Sequence, residues 1–230
     1  MGQEVKQLQD WLDEVASFSL PSYKELPGID LYMEQVLSYI NGVLSPFESD
    51  DPKKGLTSFM VNNYVKAKII TEPIKKKYSK NQIGYLMAIT LMKQTMSLDQ
   101  MKTMLSLDPF VTNDLGRLYD FYRGVQTRVM NERVKLTKRT VDNCVNDFEK
   151  VAETDPKKAE DGLTGRLGLV ALRLAAEAEI CKLISDKLIE TLAQRLENEA
   201  KMKKEAKEEN SAKRKKEIER SLKKNKGEKQ

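Results

Sequence analysis

Histidine is absent from all 230 residues, and cysteine occurs only twice, as Cys144 and Cys181. Without an imidazole there is no ordinary general base near neutral pH, no Cys-His pair and no mixed Cys/His zinc quartet. Two thiols are too few for the dense disulfide framework of a small secreted fold. No apolar run approaches the roughly 18 residues that a membrane-spanning helix needs. The start, MGQEVKQLQDW, is polar and helical in pattern rather than a charged segment followed by an apolar one, so the reading places the chain in the cytoplasm. No nucleophile sits beside a base, and the carboxylates show no spacing that would drive their pKa values apart. The expectation is a protein that is not an enzyme, with no catalytic residue, no cofactor and no metal site.

Charge, by contrast, is plentiful and unevenly spread. Charged residues make up 33% of the chain, for a net charge of only +5. In residues 1–51, ten acids face two lysines; in residues 52–80, eight lysines face Glu72 alone. Residues 201–230 carry thirteen bases against six acids. Clusters of one sign say more about partners than the total does, and two basic blocks point toward a polyanion.

Apolar spacing divides the rest into helices. Val5, Leu8, Leu12 and Val15 make an amphipathic helix over residues 3–18, ended by Pro21 and expected to dock on the core that follows. Asp30 is placed to cap a helix over 31–44 with Tyr32, Val36, Leu37, Ile40 and Leu44 inward. Thr57 is placed to cap a helix over 57–68, with Phe59, Met60, Tyr64 and Val65 inward and Ser58, Asn62, Asn63, Lys66 and Lys68 in water. Pro73 stops any helix, and a basic connector over 71–78 holds Lys75, Lys76, Lys77 and Tyr78. Ser79 then opens a helix over 80–95, with Ile83, Leu86, Met87, Thr90 and Leu91 inward. A further helix over 98–105 turns Leu98, Met101, Met104 and Leu105 inward.

Beyond residue 108, Val111, Leu115, Leu118, Tyr122, Val125 and Val129 step by fours and threes, a heptad seam. Leu167, Leu174, Cys181 and Leu188 recur every seven residues in a second long helix starting near Leu163, where Cys181 reads as a small hydrophobe. Residues 152–162, with Pro156, read as a polar hinge, so the whole is a helical hairpin. Gly162, Gly165 and Gly168 follow no strand and precede no Lys-Ser/Thr, so close helix packing is expected there rather than a phosphate cradle. Residues 201–230 offer only Met202, Ile218 and Leu222 as sizeable apolar groups, which makes them a helical or disordered basic tail.

The run TSFMVNNYVKAKII, then Tyr78-Ser79, then SLDQMKTML, resembles the DNA-binding domain of the MerR-type regulators. There a recognition helix of the form SPRTLRYYERKGLL precedes a basic wing and a SLEEIKELL-like helix. Laid on that pattern without gaps, Val61, Tyr64, Lys66, Ile69 and Ile70 fall on the pattern's Leu, second Tyr, second Arg and Leu-Leu. Asn62 stands where the pattern has Arg, and the wing is shortened to about eight residues. Residues 23–105 as a whole are similar to the domain of unknown function 1836, a bacterial family with no established activity. The MerR resemblance implies an all-α fold: a short-winged helix-turn-helix domain over 23–108, behind an N-terminal helix over 1–22 and ahead of a hairpin over 109–200 suited to pairing two copies. The implied partner is double-stranded DNA, read by a homodimer without membrane attachment. The implied DNA-facing residues are Thr57, Ser58, Asn62, Asn63, Lys66, Lys68, Lys75, Lys76, Lys77 and Tyr78. The other reading is a helical adaptor that binds proteins and no DNA.

Overall fold

A computed structural model describes residues 3–47, 55–107 and 114–227. Among the described residues there are seven α-helices: α1 (Gln3–Ser17), α2 (Met33–Leu44), α3 (Ser58–Lys66), α4 (Lys80–Met92), α5 (Leu98–Leu105), α6 (Leu115–Ala152) and α7 (Pro156–Gly227). Two strands of two residues each, β1 (Leu31–Tyr32) and β2 (Lys77–Tyr78), pair antiparallel, with Leu31 opposite Tyr78 and Tyr32 opposite Lys77. The chain is mostly helical, as its periodicity implied. Among the described residues no helix is long and apolar enough to cross a membrane. The heptad residue Val111 lies outside them.

The small sheet corrects the reading of what precedes α2. Leu31 and Tyr32 are extended, so Asp30 caps nothing there. The helix starts after Tyr32, whose N–H donates to Gln35 Oε1 at 3.0 Å. Tyr32 is therefore turned outward, 52% exposed, rather than inward. Of the positions expected inward, Val36 and Ile40 of α2 and Ile83, Leu86 and Met87 of α4 are sealed in one core, and Val61 of α3 and Ile89 of α4, which the spacing had not marked as inward, are sealed there too. Each such side chain contributes about 1.5–3 kcal/mol relative to solvent exposure. Tyr119 of α6 closes the same core. Leu98 of α5 is an exception to the inward set, lying exposed one residue after the Ser97 cap.

Helix α1 does not dock on this core. Its Val5 packs with Cys144, Val145 and Phe148 of α6 and with Ala159 and Leu163 of α7. Gln9 Nε2 donates to Asp142 Oδ1 at 2.8 Å, and Asp13 pairs with Lys138. An apolar stripe says that a helix face buries; it does not say against what.

The hairpin turn is tighter than the proposed hinge. Helix α6 ends at Ala152, the Asp155 carboxylate accepts the Lys158 N–H at 3.0 Å, and Pro156 is already the first residue of α7. Proline suits that place because the first helical N–H has no partner to lose. Arg166 of α7 pairs with Asp147 and holds its carboxyl below the ordinary range. Arg133 and Glu177 pair at 2.5 Å. The glycines at 162, 165 and 168 do not serve close packing: a Cβ on any of them would meet nothing within 4 Å. Cys144 is the buried thiol, while Cys181 is exposed and so does not fill a seam. The chain divides into two compact units, Met1–Lys182 and Leu183–Gln230. The second unit is helical through Gly227, so its basic stretch continues a helix.

Candidate functional site

Helix α3 is fixed at both ends by side-chain and backbone devices. Thr57 Oγ1 accepts the Met60 N–H at 3.3 Å, the cap its sequence position suggested. Ahead of it the Asn41 amide grips Leu56 twice, accepting its N–H at 2.8 Å and donating to its carbonyl at 3.0 Å. Lys93 Nζ donates to the Gly55 carbonyl at 3.1 Å. Val61 and Tyr64 form the buried face. Phe59 does not join them: it lies about 200° and 140° around the helix from those two positions and is 73% exposed. Ser58, Asn62 and Lys66, four residues apart, line up on the exposed side, Asn63 is half-buried beside them, and Thr57 is exposed at the N-cap.

At its C-terminus α3 ends in a Schellman arrangement. The Lys68 N–H donates to the Val65 carbonyl at 2.9 Å and the Ile69 N–H to the Tyr64 carbonyl at 2.9 Å. Lys68 is the left-handed residue this requires, at φ 57°. Its side chain lines a cleft with Thr71, Ser79 and Lys102.

The basic connector is a two-residue turn. The Lys77 N–H donates to the Ile74 carbonyl at 3.0 Å, with Lys75 and Lys76 at φ 50° and 63° between them. Positive φ at both central residues is what a type I′ hairpin needs. Ile74 at the tip is 76% exposed. Lys77 Nζ lies 4.9 Å from the centroid of the Tyr32 ring, a cation–π contact across the β1–β2 pair. Tyr78 leaves the outward-facing set: it is 2% exposed and sits in the core opposite Leu31, so it anchors the connector from within.

Gln82 holds the base of this connector. It is buried; its Oε1 accepts the Ser79 N–H at 2.8 Å, and its Nε2 donates to the Thr71 carbonyl at 2.8 Å. One side chain thereby ties both ends of the turn to the first turn of α4. Gln82→Ala removes both bonds, at about 0.5–1.5 kcal/mol each, and is expected to cost about 1–3 kcal/mol in urea unfolding. A cost below about 0.5 kcal/mol would mean that the turn is held by its strand pairing alone.

The ten sequence candidates thus fall into groups. Ser58, Asn62 and Lys66 share the exposed face of α3, with Asn63 at its edge and Thr57 exposed at its N-cap; Lys75 and Lys76 form the turn, with Lys77 against Tyr32; Lys68 lies in the cleft; Tyr78 is internal. The sequence reading missed Asn41 and Gln82 as supports, and Tyr32, Phe59 and Ile74 as exposed apolar groups on these same elements. Gln82 had a signal, Ser79 followed three residues later by Gln, the capping-box spacing. Asn41 had none, since an amide that bridges to a distant loop leaves no local pattern. Among the described residues no group of three or more acids and cysteines could hold a metal ion.

Residues 21–125 match the model of a family described as Domain of unknown function (DUF1836). This span runs from Pro21, through both strands and α2 to α5, into the first part of α6. No curated protein and no solved structure matches the chain.

Proposed function

We propose that this family domain belongs here to a DNA-binding transcriptional regulator that works as a homodimer. The observation that carries the reading is the backbone of three lysines. Lys68, Lys75 and Lys76 are the non-glycine residues with positive φ among the described residues, and no described glycine takes that conformation. A left-handed L-residue costs roughly 1–2 kcal/mol that glycine avoids. Strain of this kind is kept where the side chain has work to do. All three are ammonium-bearing residues within one of the two basic blocks, residues 52–80.

The order of parts supports the same reading: strand, helix, helix, tight hairpin, helix, helix, with β1 laid against the hairpin. That order suits a winged helix-turn-helix, and the glycine of the MerR-type pattern falls on Lys68, the left-handed residue that ends α3. In this reading Lys75, Lys76 and Lys77 touch phosphates from the wing, since flexible ammonium groups position a protein without reading bases. Thr57, Ser58, Lys66 and Lys68 flank the duplex backbone. Asn62 and Asn63 read base edges, an amide being matched to the N6 and N7 edge of adenine in the major groove.

Selection of bound duplexes from a random-sequence pool tests the proposal. Enrichment of a paired motif supports a dimeric reader. A pool that stays random through repeated rounds overturns it in favour of a protein-binding adaptor, for which the exposed Phe59 and Ile74 would be the docking groups.

A further inference from the structure

A cavity of about 320 Å³ opens between α4, α5 and the first part of α6. Its walls include Tyr85 and Met92 of α4, Met104 of α5, and Leu118 and Tyr122 of α6, with Met96 between α4 and α5. Among the described residues no charged side chain lines it. Burial pushes the Tyr122 hydroxyl up to about 12, so that ring stays neutral at any working pH.

The space follows from the residues that α4 presents. Gly84, Ala88 and Met92 recur at four-residue steps along the wall. At Gly84 the two helices close: a Cβ there would meet Leu26 Cδ1 at 3.3 Å and Tyr119 Cδ2 at 3.4 Å. Tyr119 is held in that position by its hydroxyl, which donates to the Pro21 carbonyl at 2.9 Å. One turn further along, the small Ala88 leaves the gap open. The cavity is open to solvent on one side, where Phe121 and Val125 of α6 line it and are exposed. An open, mostly apolar cleft with aromatic walls is the usual form of a small-molecule site.

We propose that the cavity binds an uncharged, largely aromatic small molecule. The volume lies at the lower end of the roughly 300–1,000 Å³ of ligand sites, which suits one compact molecule and not a helix face. Aromatic rings and methionine thioethers adapt to flat, polarisable ligands. Polar contacts are few: Asn81, whose Oδ1 accepts from the Tyr23 hydroxyl, and the hydroxyls of the lining tyrosines. An ion would find no counter-charge there, and burying it uncompensated is unfavourable. This inference does not depend on whether the protein binds DNA.

The neutral dye N-phenyl-1-naphthylamine serves as the probe on the full chain carrying ¹³C-methyl methionine. Saturable, one-to-one fluorescence enhancement is expected, together with shifts in the methyl signals of Met92, Met96 and Met104 and none in that of the exposed Met202. Ala88→Leu, which fills part of the void, is expected to weaken the dye at least tenfold while circular dichroism and the melting temperature show an intact fold. Should Ala88→Leu fail to fold, the methyl shifts in the parent protein still decide the matter. Absence of saturable binding, shifts confined to Met202, or undiminished binding by a folded Ala88→Leu would each overturn the proposal.

Discussion

Lys75-Lys76 replaced by Asn-Gly is expected to give a protein that is more stable and binds DNA less well. Both lysines hold left-handed conformations in a two-residue turn, and Asn-Gly is the pair such a turn prefers. Relief at the second position alone is worth about 1 kcal/mol or more, and Asn tolerates the first better than Lys does. The urea midpoint should therefore rise at unchanged slope. Two ammonium groups are lost, so the slope of log affinity against log salt should fall by up to about 1.8, near 0.9 for each phosphate contact. The loss should be equal on specific and random duplexes, because phosphate contacts carry no sequence information. A pair that gains stability and keeps its affinity at every salt concentration would reduce the lysines to turn residues, and the principal support for DNA binding would go with them.

What the sequence made legible, and what it hid, follows from how local each cause is. Caps are local: Thr57 and Ser79 stand just ahead of α3 and α4 where the sequence reading placed them, Thr57 accepting through its hydroxyl and Ser79 held by Gln82. Burial spacing is local too, and Val36, Ile40, Ile83, Leu86 and Met87 were readable from it. Strands of two residues are not: Leu31 and Tyr32 are extended because Tyr78 and Lys77 pair with them from far along the chain. The same pairing drew Tyr78 inward and removed it from the candidate interface. Docking partners were equally hidden, as α1 shows by packing on the hairpin turn while its stripe would fit any apolar surface. Left-handed lysines are the hardest case, because the residue type argues against the conformation. The turn at Lys75-Lys76 could not be read from propensity, since Asn or Gly would have been its signal.

The second large effect concerns association. In the first unit, Phe121, Val125, Val129 and Leu136 of α6 and Leu169, Leu172 and Ile180 of α7 are exposed; in the second, Leu183, Ile184 and Leu188 are exposed. Val125 and Val129 belong to the heptad seam read from sequence, and the hairpin leaves them uncovered. Soluble monomers seldom expose contiguous apolar patches beyond a few hundred Å², so a second copy is the economical cover. Within the first unit Leu169, Leu172, Ala176 and Ile180 step by three, four and four, a spacing suited to knobs-into-holes contact. Leu172→Glu with Ile180→Glu removes four aliphatic side chains from a two-fold interface, at about 1.5–3 kcal/mol each when buried. The dissociation constant should rise by about 10⁴-fold or more, enough to turn a dimer into a monomer at micromolar concentration. Both positions are exposed in the single chain, so helix content and the core around Ile83 should be unaffected. Sedimentation equilibrium of parent and variant decides it: a dimeric parent and a folded, monomeric variant are expected. A parent that is already monomeric at 10 µM, on the order of the concentrations where such seams associate, would leave these residues unpaired in solution and remove the two-fold symmetry from any operator it binds.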